Sequence, residues 1–203
     1  MFIKSTNVKK RKKGMGFEEI KISKGFSGKN KRVKNDFYPT PTNAIIPILE
    51  YIENQNVWEC ACGDGAISSV LVNAGFNVIS TDLNDYGYGK VGVDFLSQKS
   101  KLANTIVTNP PYNLINDFIE KANKLDIDEF LYLLPLDKLN GKARTFLMQK
   151  SGLYALYSFR GRLKFCGGKS PMMFHCWYHF KRGYVGDIKF KFIDTDDGNI
   201  KLF

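Results

Sequence analysis

The chain has no run of about 18 apolar residues, which excludes a transmembrane helix. Its basic N-terminus has no apolar core and no small-residue cleavage site, so it does not read as a secretory signal, and a cytoplasmic protein is expected. Histidine is scarce, with two residues, and cysteine is limited to Cys60, Cys62, Cys166 and Cys176. A chain of 203 residues can bury a core without cross-links, so the cysteines are read as thiols. The cluster His175, Cys176 and His179 suggests zinc. On a strand, however, residues 175 and 179 stand roughly 13 Å apart, too far to share one ion, and no metal is expected. Two phosphate-binding signatures are also missing. No third glycine follows three residues after Gly65, and no Gly-Lys-Ser/Thr follows the glycine turn, so a pyrophosphate is not the expected ligand.

What is present is charge, and it is unevenly placed. The net charge is +10, but residues 1–35 hold twelve Lys and Arg against two Glu, while the rest of the chain holds eighteen of each sign. The run Lys9-Lys10-Arg11-Lys12-Lys13 has nothing apolar to bury and repels itself. Residues 1–35 are therefore expected as an irregular, flexible arm, and residues 36–203 as the folded domain. The arm has two readings, a solubilising tail and a phosphate-binding segment, and the asymmetry favours the second.

Along the domain, β-type runs alternate with helical patterns, which predicts a parallel sheet covered on both faces. Strands are expected at 57–61, 78–81, 105–108, 130–134, 153–159, 172–180 and 188–193, the last an edge strand with Lys189 and Lys191 outward. Helices are expected over 43–54 (Thr42 as N-cap; Ile45, Ile48, Leu49 and Ile52 inward), 66–74, 113–124 (Leu114, Phe118, Ile119 and Ala122 inward) and 141–150. The strand–loop–strand end of the chain implies an antiparallel edge.

Two stretches carry chemistry. Glu59-Cys60-Ala61-Cys62-Gly63-Asp64-Gly65 is a strand, a glycine turn and a helix start, and glycines there let a ligand approach the backbone. Asp82 ends the next strand, where a carboxylate can accept both hydroxyls of a ribose. Alone, this turn is also compatible with an ordinary tight turn and a surface Asp. Asn109-Pro110-Pro111-Tyr112 follows the apolar run Thr105–Thr108, at the carboxyl end of a strand. Its prolines remove two N–H donors and fix two φ angles. The result is a rigid bracket that holds out an amide, a bare carbonyl and a ring, the parts needed to grip an exocyclic amino group.

Together these stretches resemble the class I S-adenosylmethionine-dependent methyltransferases, and within them the small phage-type DNA N6-adenine methyltransferases, over residues 36–185. The resemblance implies a Rossmann-like α/β fold, a mostly parallel seven-stranded sheet with an antiparallel edge and helices on both faces. It implies S-adenosylmethionine as cofactor, S-adenosylhomocysteine as product and DNA as partner, with RNA open, and no membrane. The cofactor-binding residues it implies are Tyr38, Thr40, Glu59, Ala61, Gly63, Asp64, Gly65, Asp82, Leu83, Asp94 and Phe95. Asn109, Pro110 and Tyr112 would be catalytic. Lys138, Arg144, Arg162 and Phe165 would bind substrate, with Phe165 as the aromatic that packs on the target base or else as core. The same bracket serves RNA adenine and protein glutamine amides, and a catalytically silent nucleic-acid-binding subunit is a rival of another class. The basic arm favours nucleic acid.

Overall fold

The structure, a computed structural model, describes residues 39–165 and 173–195. The arm 1–35, Tyr38, Cys166 and Lys169 lie outside the described residues. The described chain runs β1 (Asn56–Glu59), α1 (Ala66–Asn73), β2 (Asn77–Asp82), β3 (Lys90–Val91), β4 (Thr105–Thr108), α2 (Ile115–Lys124), β5 (Glu129–Pro135), α3 (Lys142–Lys150), β6 (Leu153–Phe159), β7 (His175–Lys181) and β8 (Lys189–Ile193). These strands form one sheet in the order β3-β2-β1-β4-β5-β7-β6-β8. Strand β7 runs antiparallel to β5 and β6, and every other neighbouring pair is parallel.

The central strands are apolar on both faces because both faces are covered. Every residue of β4 and β5 is buried. One face packs Trp58, Ile106, Phe118, Phe130, Tyr132 and Phe180 into a single cluster. The other packs Ile45, Ile48, Val57, Ile67, Leu71, Leu133 and Trp177. Each large side chain buried this way contributes about 1.5–3 kcal/mol of transfer free energy. The two indoles also tie elements together: Trp58 Nε1 donates to Thr81 Oγ1 at 2.9 Å and Trp177 Nε1 to the Ala44 carbonyl at 2.7 Å.

The sequence expectations need correction in three places. The sheet has eight strands, not seven; the addition is the two-residue β3, paired through Thr81 with Lys90 and Asp82 with Val91. So short and exposed a strand has no hydrophobic alternation to reveal it. The helix expected over 43–54 is two 3₁₀ segments, Thr42–Ala44 and Ile46–Tyr51. Pro47 has no N–H and its ring crowds the preceding turn, so an α-helix cannot pass through it. Pro41, not Thr42, occupies the cap position, although Ile45, Ile48 and Ile52 are buried as expected. On β8 the lysines do face outward, but only Ile193 of the strand is buried. Lys189 donates to the Tyr154 hydroxyl at 2.6 Å, Lys191 bonds the Tyr51 hydroxyl, and Phe190 and Phe192 are left exposed as well.

At the amino end of β5 a buried polar cluster closes the core. Glu129 accepts from His179 Nε2 at 2.8 Å, Thr105 Oγ1 at 3.3 Å and the Glu53 amide at 3.2 Å, and His179 Nδ1 meets the Tyr157 hydroxyl at 3.2 Å. Glu129→Ala strands those groups in a dry interior. It should cost about 2 kcal/mol, a fall in Tm of roughly 4–8 °C for a domain of this size. Because the cluster sits at the amino edge of the sheet, the carboxyl edge should keep its structure. Thermal melts and amide chemical shifts of carboxyl-edge residues check both halves of the expectation.

Candidate active site

The carboxyl edge of the parallel strands is where open α/β sheets place their ligands. Four segments meet there. After β1 the chain makes the turn Cys60–Gly65, in which Gly63 and Gly65 take φ of 54° and 81°. These are left-handed conformations that glycine adopts without strain. Gly65 opens α1 beneath the ring of Tyr88, and a Cβ there would lie 2.4 Å from that ring. The Cys62 amide donates to the Thr81 carbonyl at 3.1 Å and Thr108 Oγ1 to the Ala61 carbonyl at 3.4 Å, so the turn is strung between β2 and β4.

Asp82, at the end of β2, is buried and braces this turn. Its Oδ2 accepts the Gly63 amide at 2.9 Å and its Oδ1 the Asn84 amide at 2.8 Å. Each oxygen keeps a second lone pair for a ligand hydroxyl. Leu83 beside it is 59% exposed, and Asp64 is exposed and accepts the Ala66 amide at 3.3 Å. Asp94 caps a short 3₁₀ turn, accepting the Leu96 amide at 2.9 Å and the Ser97 hydroxyl.

Two residues expected to face a cofactor point elsewhere. Phe95 is 2% exposed and its ring packs against Trp58 and Phe118, with centroids 5.2 and 4.8 Å away. Its ring is core. Glu59 is buried under the turn and accepts from the Ser68 hydroxyl of α1. Burial drives its carboxyl pKa well above the ordinary value, and the Ser68 hydrogen bonds only partly oppose it. A carboxyl whose folded pKa lies above its unfolded one stabilises the fold below the unfolded value, and that contribution is lost as pH rises through the folded value. Glu59→Gln keeps an acceptor for Ser68 and removes the titration. Its Tm should therefore gain on that of the unsubstituted protein as pH rises from the ordinary carboxylate range into the alkaline range. Parallel melting curves across that range would refute this assignment.

The centre of the edge is Asn109, directly after β4. Its Nδ2 donates to Thr40 Oγ1 at 3.1 Å. Its Oδ1 is buried and has no hydrogen-bond partner. Among the described residues only Asn43 Oδ1 and His175 Nδ1 share that condition. Leaving such an atom unpaired costs about 1–3 kcal/mol, and the cost calls for a reason. Pro110 is buried and holds the amide in place. The Tyr112 ring lies 5.9 Å from that of His175, which in turn lies 4.7 Å from Phe165. His175 is 5% exposed, and burial lowers its pKa to about 4, so the imidazole is neutral near pH 7.

The structure thus unites Thr40 with Asn109, Gly63 with Asp82, and Tyr112 with Phe165 through His175. Phe165 itself is buried and joins a core cluster. Among the expected substrate residues, Lys138 is half-buried in the 3₁₀ turn after β5. Arg144 is held by Asn116 Oδ1 at 3.0 Å and the Asn140 carbonyl at 3.5 Å. Arg162 is exposed, with its guanidinium 4.9 Å from the Phe174 ring centroid. Sequence reasoning missed His175 and Tyr88. His175 stands out in the sequence only as a member of a metal-like cluster, and Tyr88 belongs to no motif there.

No protein-family model matches the chain. No curated protein sequence matches it either. Solved structures do. A modification subunit of a candidate type I restriction enzyme from Vibrio vulnificus aligns with TM-score 0.58 at 12% identity, over 80% of this chain and 48% of that one. A candidate RNA methyltransferase from Pyrococcus horikoshii aligns with TM-score 0.57 at 19% identity, over 78% and 92%. A candidate class I S-adenosylmethionine-dependent methyltransferase from Listeria monocytogenes aligns with TM-score 0.56 at 10% identity, over 75% and 65%. The chain therefore spans about half of the restriction subunit and about two thirds of the Listeria protein. At these identities the likeness is one of fold: this is the Rossmann-like fold of the class I methyltransferases.

Proposed function

We propose that this chain transfers the methyl group of S-adenosylmethionine to the N6 amino group of adenine in DNA. The observation that carries the reading is the buried, unpartnered Oδ1 of Asn109, at the carboxyl end of β4 and inside Asn-Pro-Pro-Tyr. An unsatisfied acceptor on a rigid bracket is what an amino group needs to find waiting.

The residues of the edge suit the cofactor. The left-handed turn at Gly63 brings bare backbone to where its amino-acid end would lie, and the Tyr88 ring covers Gly65 beside it. Asp82 retains lone pairs for a ribose, and exposed Leu83 offers an apolar surface for an adenine ring. When bound, S-adenosylmethionine supplies an electrophilic sulfonium methyl and leaves as S-adenosylhomocysteine.

The protein's own part is to prepare the nucleophile. An adenine amino nitrogen is weak because its lone pair is delocalised into the ring. Asn109 Oδ1 accepts one of its N–H groups and the Pro110 carbonyl the other, which draws the nitrogen toward tetrahedral geometry and frees the pair. Thr40, by holding Nδ2, fixes which end of the Asn109 amide faces the substrate. The acceptor is neutral, so the amide needs no tuned protonation state. Positioning supplies much of the acceleration, preorganised acceptors stabilise the charge that develops on the amino group, and the surplus proton then leaves the methylated nitrogen for solvent. Tyr112 stacks on the base, worth about 1–3 kcal/mol. In a duplex the base must first be turned out of the stack.

The test is incubation with labelled S-adenosylmethionine and, separately, DNA, RNA and glutamine-containing protein. Label recovered as N6-methyladenine of DNA supports the proposal. Label only in RNA adenine or in glutamine moves the same chemistry to another polymer, and DNA binding without any transfer identifies a silent binding subunit.

A further inference from the structure

Beyond the bracket, the carboxyl edge carries a second feature. On the β5–β8 half of the sheet lies an open cleft of about 490 Å³, lined by Leu136, Ser158, Phe159, Arg160, Phe174 and Phe192. Phe174 is 50% exposed and Phe192 57% exposed, and Phe190, whose ring centroid is 5.1 Å from that of Phe192, is 53% exposed. Single exposed phenylalanines are ordinary, but three gathered at one sheet edge leave a contiguous apolar surface that asks for a partner. The paired residues Leu156 and Ser158 of β6 are buried, whereas Phe190 and Phe192 opposite them on β8 are not.

The chemistry around the rings points to one kind of partner. Arg160 stands in the lining, its Nε 3.2 Å from Asp194 Oδ1, and Arg162 lies over the Phe174 ring. Lys164 on the same loop is exposed. Aromatic faces edged by guanidinium groups fit flat rings linked by phosphates: the rings stack on every base, and the cations follow the backbone. The cleft is also joined to the bracket. The Leu136 amide donates to the Phe174 carbonyl at 2.7 Å, and the next residue, His175, packs against Tyr112. The glycine turn and Asp82 occupy the β1–β2 half of the edge, so the polymer has the β5–β8 half to cross.

We propose that the Phe174–Phe192 cleft is a stacking site for an unpaired base next to the target, on the strand that carries it. The inference rests on the reading of the chain as a nucleic-acid methyltransferase. A paired base is already stacked on both faces and cannot enter. The cleft therefore selects single-stranded or locally opened DNA over intact duplex.

The test is fluorescence anisotropy of a labelled DNA single strand of mixed sequence, and of the same strand annealed into duplex, with the full chain at fixed salt. Both phenylalanines are exposed, so their removal leaves the core untouched. Phe174→Ala and Phe192→Ala should each weaken single-strand binding about ten-fold, Phe192→Trp should restore it, and duplex binding should change less. Single-strand affinity unchanged in both alanine variants overturns the proposal. So does an unsubstituted protein that binds no single strand, or a Phe192→Ala variant whose only change is the loss of a self-associated state in sedimentation. Methyl transfer is assayed in parallel with unsubstituted protein. If transfer to DNA occurs and the alanine variants bind normally, the cleft fails and the enzyme reading stands. If no nucleic acid is methylated, the enzyme reading fails, while the binding series still decides the cleft.

Discussion

Asn109→Ala is expected to lower methyl transfer to DNA by about 10²–10³-fold while leaving the affinity for S-adenosylmethionine within about two-fold, by analogy with the loss of one preorganised polar group in other active sites. The split between the two numbers carries the information. Asn109 Oδ1 serves nothing in the resting fold, since it has no partner there, so its loss costs no native contact of that atom. Nδ2 loses only its bond to Thr40 Oγ1 at 3.1 Å, a neutral contact worth about 1 kcal/mol. Stability should hardly move. The transferred methyl, by contrast, waits on a nitrogen whose lone pair no longer has help in leaving the ring. Stopped-flow single-turnover rates and calorimetric cofactor titration would measure both quantities. A variant that transfers methyl at the unsubstituted rate would sink the role of Asn109. A variant that no longer binds cofactor would reassign the residue to the cofactor site.

The parts of this site that depend on a few consecutive residues were legible in the sequence. The glycine turn, the acid at the end of β2 and the bracket after β4 all announce themselves by residue type at a strand end, and the parallel direction that brings those ends to one edge follows from the strand–helix alternation. What could not be read is which way a side chain turns. Phe95 follows Asp94 at a strand end and suits a ligand's edge equally well in sequence. Only the packing of α2, which brings Phe118 within 4.8 Å, draws it inward. Glu59 is the same case, since Ser68 sits a full turn into α1 and claims the carboxyl from below. Asp82 was read as a ribose acceptor. Its bracing of Gly63 depends on the distance between two loops, which no spacing along the chain encodes. Pro47 is the opposite case: as a residue that disrupts an α-helix it is visible in the sequence and argues for a delayed start, yet the apolar spacing around it still reads as one helical face. The exposed phenylalanines of β8 escaped notice because an edge strand with alternating lysines satisfies the usual rule for a protected edge.

Removing residues 1–34 is the other change with a large expected effect, and it reads on the polymer instead of the chemistry. Residues 36–203 carry no net charge, and four of their eighteen cations are in ion pairs: Arg182 with Asp126 and Asp128, Lys181 with Glu53, Lys124 with Glu120 and Arg160 with Asp194. The excess of +10 resides in the first 35 residues. Each phosphate neutralised in B-DNA contributes about 0.9 to the slope of log affinity against log salt. The five consecutive charges from Lys9 to Lys13 are then worth about 4 in slope, or roughly 10²–10³-fold of extra affinity lost by the full chain between about 50 and 200 mM salt. The truncated chain should bind DNA more weakly at low salt and show a much flatter dependence, with transfer to saturating DNA retained because the bracket and the glycine turn are intact. Filter binding across a salt series, paired with single-turnover transfer, separates the possibilities. Equal slopes for the two chains would mean that the arm does not grip phosphate. A flat slope together with lost transfer at saturation would mean that the arm contributes to the active site itself.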